Sequence, residues 1–109
     1  MTPEGKVKEK VKRLLKQYDP KLYYFMPRGT TYGTSGVPDF IGCFEGRFFG
    51  IETKAGSNKP TAMQEHQMSL IEKAGGTSFV VNEDPETLQR VKDWIDLLMM
   101  GALVQRGLI

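Results

Sequence analysis

The stretch from Val37 to Lys54 constrains the fold of this chain more than any other. Two strand-forming runs, 37–44 and 47–54, are separated only by Glu45-Gly46. A two-residue connection ending in glycine predicts a tight β-hairpin, because the turns that suit strand twist need left-handed backbone. A turn of that length also sets the register. Phe44 opposes Arg47 and, counting outward, Asp39 opposes Glu52. Directly opposed residues share a face, with Cβ atoms roughly 4.5–5.5 Å apart. Lys54 lies two residues beyond Glu52 and projects from the same face. Ile41, Cys43, Phe48 and Gly50 continue that face, so the charged cluster is expected at the open end of a core-type surface.

Two carboxylates and an ammonium placed there need an explanation. Like charges opposed across a sheet repel, and burial strips carboxylates of hydration. A divalent cation relieves both penalties, and Mg²⁺ favours one or two carboxylates plus water and phosphate oxygens. An Asp/Glu–Lys ion pair at a strand end accounts for the same three residues without any chemistry. A register slip of one residue would send Asp39 to the opposite face.

Around the hairpin, the chain reads as one domain over residues 1–109 with the order α-β-β-β-α-β-α. Thr2 is the expected N-cap of a first helix, with Pro3 at its first position and Glu4 in its first turn. Val7, Val11, Leu14 and Leu15 recur at helical spacing up to about Asp19-Pro20. Residues 22–26 read as a strand and 28–36 as a polar, glycine-bearing loop. After a loop at 55–60, a helix is expected over 62–74, stopped by Gly75-Gly76, and then a buried-type strand at 77–81. Asp84-Pro85 caps a last helix with a stripe of Leu88, Val91, Trp94, Ile95 and Leu98, followed by a short apolar tail from Gly101.

Several function classes are disfavoured. No stretch is long enough to span a bilayer and the N-terminus lacks a signal-type apolar core, so a cytoplasmic protein is expected. Cys43 is the only cysteine. An internal disulfide or a cysteine-rich zinc site is thereby excluded, and a metal would be held by oxygen. The net charge is only +2, but it is unevenly spread. Residues 1–60 hold 11 Lys and Arg against 6 Asp and Glu, and residues 61–109 hold 4 against 7. The basic half carries the charged cluster, as expected if a polyanion approaches there; a solvated basic helix accounts for it equally well.

Two residues outside the hairpin join the candidates. Glu4 lies three before Val7 and seven before Val11, so it shares their helix face, whereas Glu9 does not. A first-turn carboxylate is also favourable against the helix dipole. Gln64 lies three after Thr61, which forms a capping box. It is also placed to meet a phosphate at a helix N-terminus.

Val37-Pro38-Asp39-Phe40-Ile41-Gly42, Gly50-Ile51-Glu52-Thr53-Lys54-Ala55 and Pro60-Thr61-Ala62-Met63-Gln64 together resemble the VRR-NUC (virus-type replication-repair nuclease) domain. That domain belongs to the PD-(D/E)XK superfamily of restriction enzymes and Holliday-junction resolvases. The resemblance spans about residues 2–84. It implies an α/β fold with a mixed sheet, a restriction-endonuclease-like αβββαβ core followed by a C-terminal helix. It further implies Mg²⁺, with Mn²⁺ as substitute, held by Asp39, Glu52 and the Thr53 main-chain carbonyl. Lys54 would be the catalytic lysine, Glu4 an assisting acid reaching the metal through water, and Gln64 the glutamine of the following helix. The stand-alone size resembles phage and bacterial members, which implies a homodimer acting on branched DNA in replication, recombination or repair.

Arg28, Tyr32, Lys59, Lys8 and Lys12 are the candidate DNA contacts, suited to phosphates rather than to base sequence. His66 is expected at the surface and Cys43 in the core. Tyr23, Tyr24 and Phe25 are expected to pack within their strand, and Trp94, Met99 and Met100 in the core or at a dimer interface. Two other functions fit the same residues: a non-catalytic DNA-binding module, and a restriction-type nuclease with a fixed recognition sequence.

Overall fold

A computed structural model describes residues 1–28 and 33–109. Tyr32 lies outside them. The elements follow the expected order: α1 (Pro3–Lys16), β1 (Leu22–Phe25), β2 (Phe40–Phe44), β3 (Arg47–Thr53), α2 (Ala62–Lys73), β4 (Thr77–Val81) and α3 (Pro85–Gln105). The four strands form one mixed sheet in the order β1-β2-β3-β4. The β1–β2 and β2–β3 pairs are antiparallel and the β3–β4 pair is parallel. The parallel pair requires a crossover, and α2 supplies it.

The hairpin forms in the expected register. Phe44 pairs with Arg47 and Phe40 with Ile51. Glu45 and Gly46 both adopt positive φ, 50° and 74°, as a two-residue turn between twisted strands requires. The strands are shorter than expected, since β2 begins at Phe40 and β3 ends at Thr53. Pro38 has no N–H to give to a ladder, and Asp39 turns out of the strand path to bond elsewhere.

The main core lies on the opposite face from the one expected, although Ile41 and Gly50 of the expected face are also buried. Phe40, Phe44, Phe49 and Ile51 are buried with Val7, Val11, Leu14 and Leu15 of α1, Val81 of β4, and Val91 and Ile95 of α3. Phe48 is 44% exposed and Cys43 only half-buried, so neither is a core residue. Both faces of this hairpin carry apolar residues, and helix coverage decides between them. Helices α1 and α3 cover one face, whereas α2 packs on the other chiefly over β3 and β4.

Capping matches the local sequence. Thr2 and Asp84 accept from Gly5 and Glu86 N–H, and Thr61 with Gln64 closes a full capping box. Helix α1 stops at Lys16, short of Asp19, and Tyr18 donates to Asp96 at 2.7 Å, tying α1 to α3. Helix α3 continues through Gly101 to Gln105, so the apolar tail is largely helical. Strand β4 is mostly half-buried, with Val81 its one buried residue.

Gly42 has no room for a side chain. A Cβ there would stand 2.4 Å from the Tyr23 carbonyl oxygen and 2.5 Å from the Phe49 ring. Gly42→Ala is expected to destabilise the protein by about 1–3 kcal/mol through overpacking. A urea midpoint equal to that of the wild type would show that both the β1 backbone at Tyr23 and the Phe49 ring yield freely.

Candidate active site

The hairpin register, extended one step past its last ladder pair, sets Asp39 against Glu52 at the open end of β2 and β3. Pro38 is fully buried, and a Cβ at Gly50 would lie 3.0 Å from both the Pro38 ring and Ile71 of α2. The bare backbone of Gly50 therefore admits a proline wedge that sets where Asp39 leaves the strand. Asp39 Oδ2 accepts from the Thr53 N–H at 2.9 Å and from the Thr53 hydroxyl at 2.6 Å. One carboxylate oxygen is thus fixed by a fully buried threonine.

Glu52 is buried, at 3% exposure. Its Oε2 lies 3.4 Å from Lys54 Nζ. Among the described residues, Glu52 Oε1 is a buried oxygen with no hydrogen-bond partner. Burial, and then the charge of Asp39, push the Glu52 carboxyl up to about 7; Lys54 opposes that shift and Glu4 adds to it. Lys54 is itself anchored, its N–H donating to the Val81 carbonyl at 2.9 Å. The ammonium therefore issues from paired backbone rather than from a loose loop.

The remaining sequence candidates divide. Glu4 is half-exposed and meets Lys8, Oε2 to Nζ at 3.4 Å. Lys8 Nζ also lies 3.8 Å from Asp39 Oδ1, so this lysine stands within the charged cluster. Gln64 Oε1 accepts from the Thr61 N–H at 2.8 Å, which leaves the Nε2 end to donate to an incoming anion. A Cβ at Gly36 would sit 2.5 Å from the Met63 carbonyl oxygen, so the backbone at Gly36 closes against the start of α2. Lys12 pairs with Glu9 at 3.1 Å instead of turning to the cluster. Arg28 and Lys59 are exposed, as is His66. Tyr24 packs on Phe40, while Tyr23 and Phe25 lie against each other but are largely exposed on edge strand β1. Trp94 packs edge-on against Phe49 and Phe79. Met99 packs on the core, whereas Met100 is 52% exposed.

The Thr53 side chain escaped sequence reasoning. It stands between Glu52 and Lys54 and belongs by alternation to the opposite face. Asp39 reaches round the strand end to meet it. Thr53→Val removes one of two bonds to Oδ2 while keeping the volume. It is expected to weaken cation binding at the site roughly 10-fold, in the range typical of outer hydrogen bonds to ligands. A Mn²⁺ titration that matched the wild type would show that the backbone N–H alone orients Asp39.

The donor set suits a hard divalent cation. Among the described residues, no group of three or more His, Cys, Asp or Glu side chains is placed to hold a metal. Mg²⁺ needs no such cage, since one or two carboxylates suffice when water and phosphate oxygens fill the rest. The unpartnered buried Oε1 of Glu52 beside Asp39 meets that demand.

Comparison with solved structures defines the class of fold. One "VRR_NUC domain protein" superposes with a TM-score of 0.70 at 18% sequence identity, over 89% of this chain and 91% of that one. A second, a "VRR_NUC domain", gives a TM-score of 0.65 at 23% identity, over 88% and 97%. No family model matches the sequence, and no curated protein matches it. The chain has the fold of VRR-NUC domain proteins, a mixed four-stranded sheet with three helices. The Pro-Asp, Glu-x-Lys and Thr-x-x-Gln segments of the sequence lie at one end of that sheet and at the start of α2.

Proposed function

We propose that this protein is a metal-dependent nuclease of the VRR-NUC type, hydrolysing phosphodiester bonds in DNA. What carries this reading is Glu52: a buried carboxylate with an unpartnered oxygen, between the Asp39 carboxylate and the Lys54 ammonium. An ion pair with Lys54 leaves this oxygen uncompensated, whereas a bound cation would satisfy it. The resemblance of sequence and fold to VRR-NUC proteins supports the same chemistry.

Asp39, Glu52 and the Thr53 main-chain carbonyl would hold Mg²⁺, with Glu4 at the margin. Bound there, the ion supplies Lewis-acid polarisation of the phosphodiester and acidification of water. Lys54 is placed to stabilise charge that develops on the phosphate, in a site whose burial strengthens the interaction. Gln64 donates its amide to a phosphate oxygen at the start of α2, where the helix dipole already favours anions. Thr53 holds Asp39 still while this happens. Lys8, Lys59 and Arg28 meet the DNA backbone, which positions a duplex without reading its sequence.

The substrate we propose is branched DNA, cut by a homodimer, since two symmetric cleavage points suit a two-fold assembly. No helix among the described residues is long and apolar enough to cross a membrane. Incubating the protein with end-labelled four-way junctions, flaps and matched duplex, alongside sedimentation analysis, tests this. Preferred paired incisions on the junction by a dimer are expected. Tight junction binding without incision under any divalent cation would leave a DNA-binding module; incision at one fixed duplex sequence would leave a restriction-type enzyme.

A further inference from the structure

We infer that Lys8 is the resident counter-ion of the metal-free site: it holds the place of the divalent cation's charge beside Asp39 and transfers to a DNA phosphate when the cation arrives. This rests on the nuclease reading above. Lys8 lies one helical turn beyond Glu4 and bridges two carboxylates, 3.4 Å from Glu4 Oε2 and 3.8 Å from Asp39 Oδ1. Its side chain is 31% exposed, so the ammonium stands at the mouth of the cluster. The other described lysines of α1 are engaged elsewhere or face outward. Lys12 pairs with Glu9, Lys6 and Lys10 line a cleft with Val7 and Glu83, and Lys16 is exposed in the last turn.

Charge accounting explains the placement. The negative charges of Asp39 and, more weakly, Glu4 both bear on Glu52 at the sheet end. Lys54 offsets Glu52 and Lys8 offsets the other two. Asp39 Oδ2 is committed to Thr53, and Oδ1, the oxygen left for a cation, is the one Lys8 faces. A cation held there would compete with Lys8 for Oδ1 and repel its ammonium. The 3.8 Å separation is loose for an ion pair and easily given up. Lys8 then has lost a carboxylate partner at the place where a phosphodiester must come, and the phosphate is the anion it takes. One lysine thereby links metal entry to substrate binding: its charge weakens the cation alone and strengthens the DNA.

The two effects have opposite signs, and a merely structural ion pair would not give both. Lys8→Met keeps the helical position and the aliphatic stem. Titrating the DNA-free protein with Mn²⁺ alone should show this variant binding the ion about 10-fold more tightly than wild type, from removal of a like charge within a few ångströms. Lys16→Met removes the same charge from the far end of α1 and should leave that affinity unchanged. Binding of a four-way junction in Ca²⁺ should weaken for Lys8→Met, with the salt dependence reduced by about one phosphate contact. Lys8→Arg should retain both wild-type behaviours. Equal or weaker Mn²⁺ binding by Lys8→Met, or an unchanged salt slope, would overturn the assignment while leaving the nuclease reading in place. Wild-type protein that takes up no Mn²⁺ would overturn both.

Discussion

Lys54→Met is expected to slow the proposed DNA cleavage by roughly 10²–10³-fold, the loss typical when one charge-stabilising donor is removed from a preorganised site. Methionine keeps the stem that packs at the end of β3 and removes only the ammonium. That ammonium lies 3.4 Å from Glu52 Oε2, and the pair is almost wholly buried. Two consequences separate a catalytic lysine from a structural one. Burial of Glu52 would be less well compensated without its partner, so its carboxyl would rise further above about 7 and bind a cation less well at neutral pH. Raising the pH or the metal concentration should then restore occupancy without restoring the rate, because the charge on the phosphate still lacks its partner. Single-turnover rates measured at saturating metal across a pH series check this. Full recovery of rate at high pH would mean that Lys54 acts only by keeping Glu52 ionised.

The second large effect concerns stability. The Glu52 carboxyl stands at about 7 in the folded chain against an ordinary 4.5. A raised folded pKa means that the folded state holds its proton longer than the unfolded state. Stability from this group is therefore fully present below about 4.5 and is lost as pH rises through about 7. The loss is on the order of 3 kcal/mol, at about 1.4 kcal/mol per pH unit. Glu52→Gln does not titrate, so in chelator at pH 8 it should exceed the wild type in stability by about 1–3 kcal/mol, with the gap closing near pH 4.5. Saturating Mg²⁺ should close the gap at pH 8 as well, since a ligand at a hundred times its Kd stabilises the fold by about 2.7 kcal/mol. The same substitution should abolish cleavage. The site is thus expected to lower the stability of the metal-free fold and to recover it on loading. Equal urea midpoints for the two proteins in chelator at pH 8 would contradict the assigned burial of an ionised Glu52.

The hairpin was legible because its turn is only two residues long, which leaves a single register and places Asp39 beside Glu52. The capping residues Thr2, Thr61 and Asp84 were legible because their side chains act within one turn of their own position. The buried face of the sheet was not. Cys43 and Phe48 alternate as convincingly as Phe44 and Phe49, and only the coverage by α1 and α3, set by long-range packing, distinguishes them. Strand ends were overextended for a related reason. Val37, Pro38 and Asp39 continue the apolar run in sequence, but Asp39 leaves the ladder to accept two hydrogen bonds from Thr53. The cluster was recovered from local spacing, whereas its supports were not. The Thr53 hydroxyl and the Lys8 ammonium reach it from a different face and a different element, and neither route is encoded in neighbouring residues. Gly101 misled in the other direction, since a glycine at an apparent helix end is tolerated inside α3.

The most direct measurement is single-turnover cleavage of an end-labelled four-way junction by wild-type protein, Asp39→Ala and Lys54→Met, each with Mg²⁺, Mn²⁺ or chelator. Incision by the wild type with either metal, none in chelator, and a loss of at least roughly 10²-fold in both variants would establish the cluster as the catalytic centre. Incision that persisted in chelator, or that survived in Asp39→Ala, would place the chemistry elsewhere and reduce the cluster to a buried ion pair.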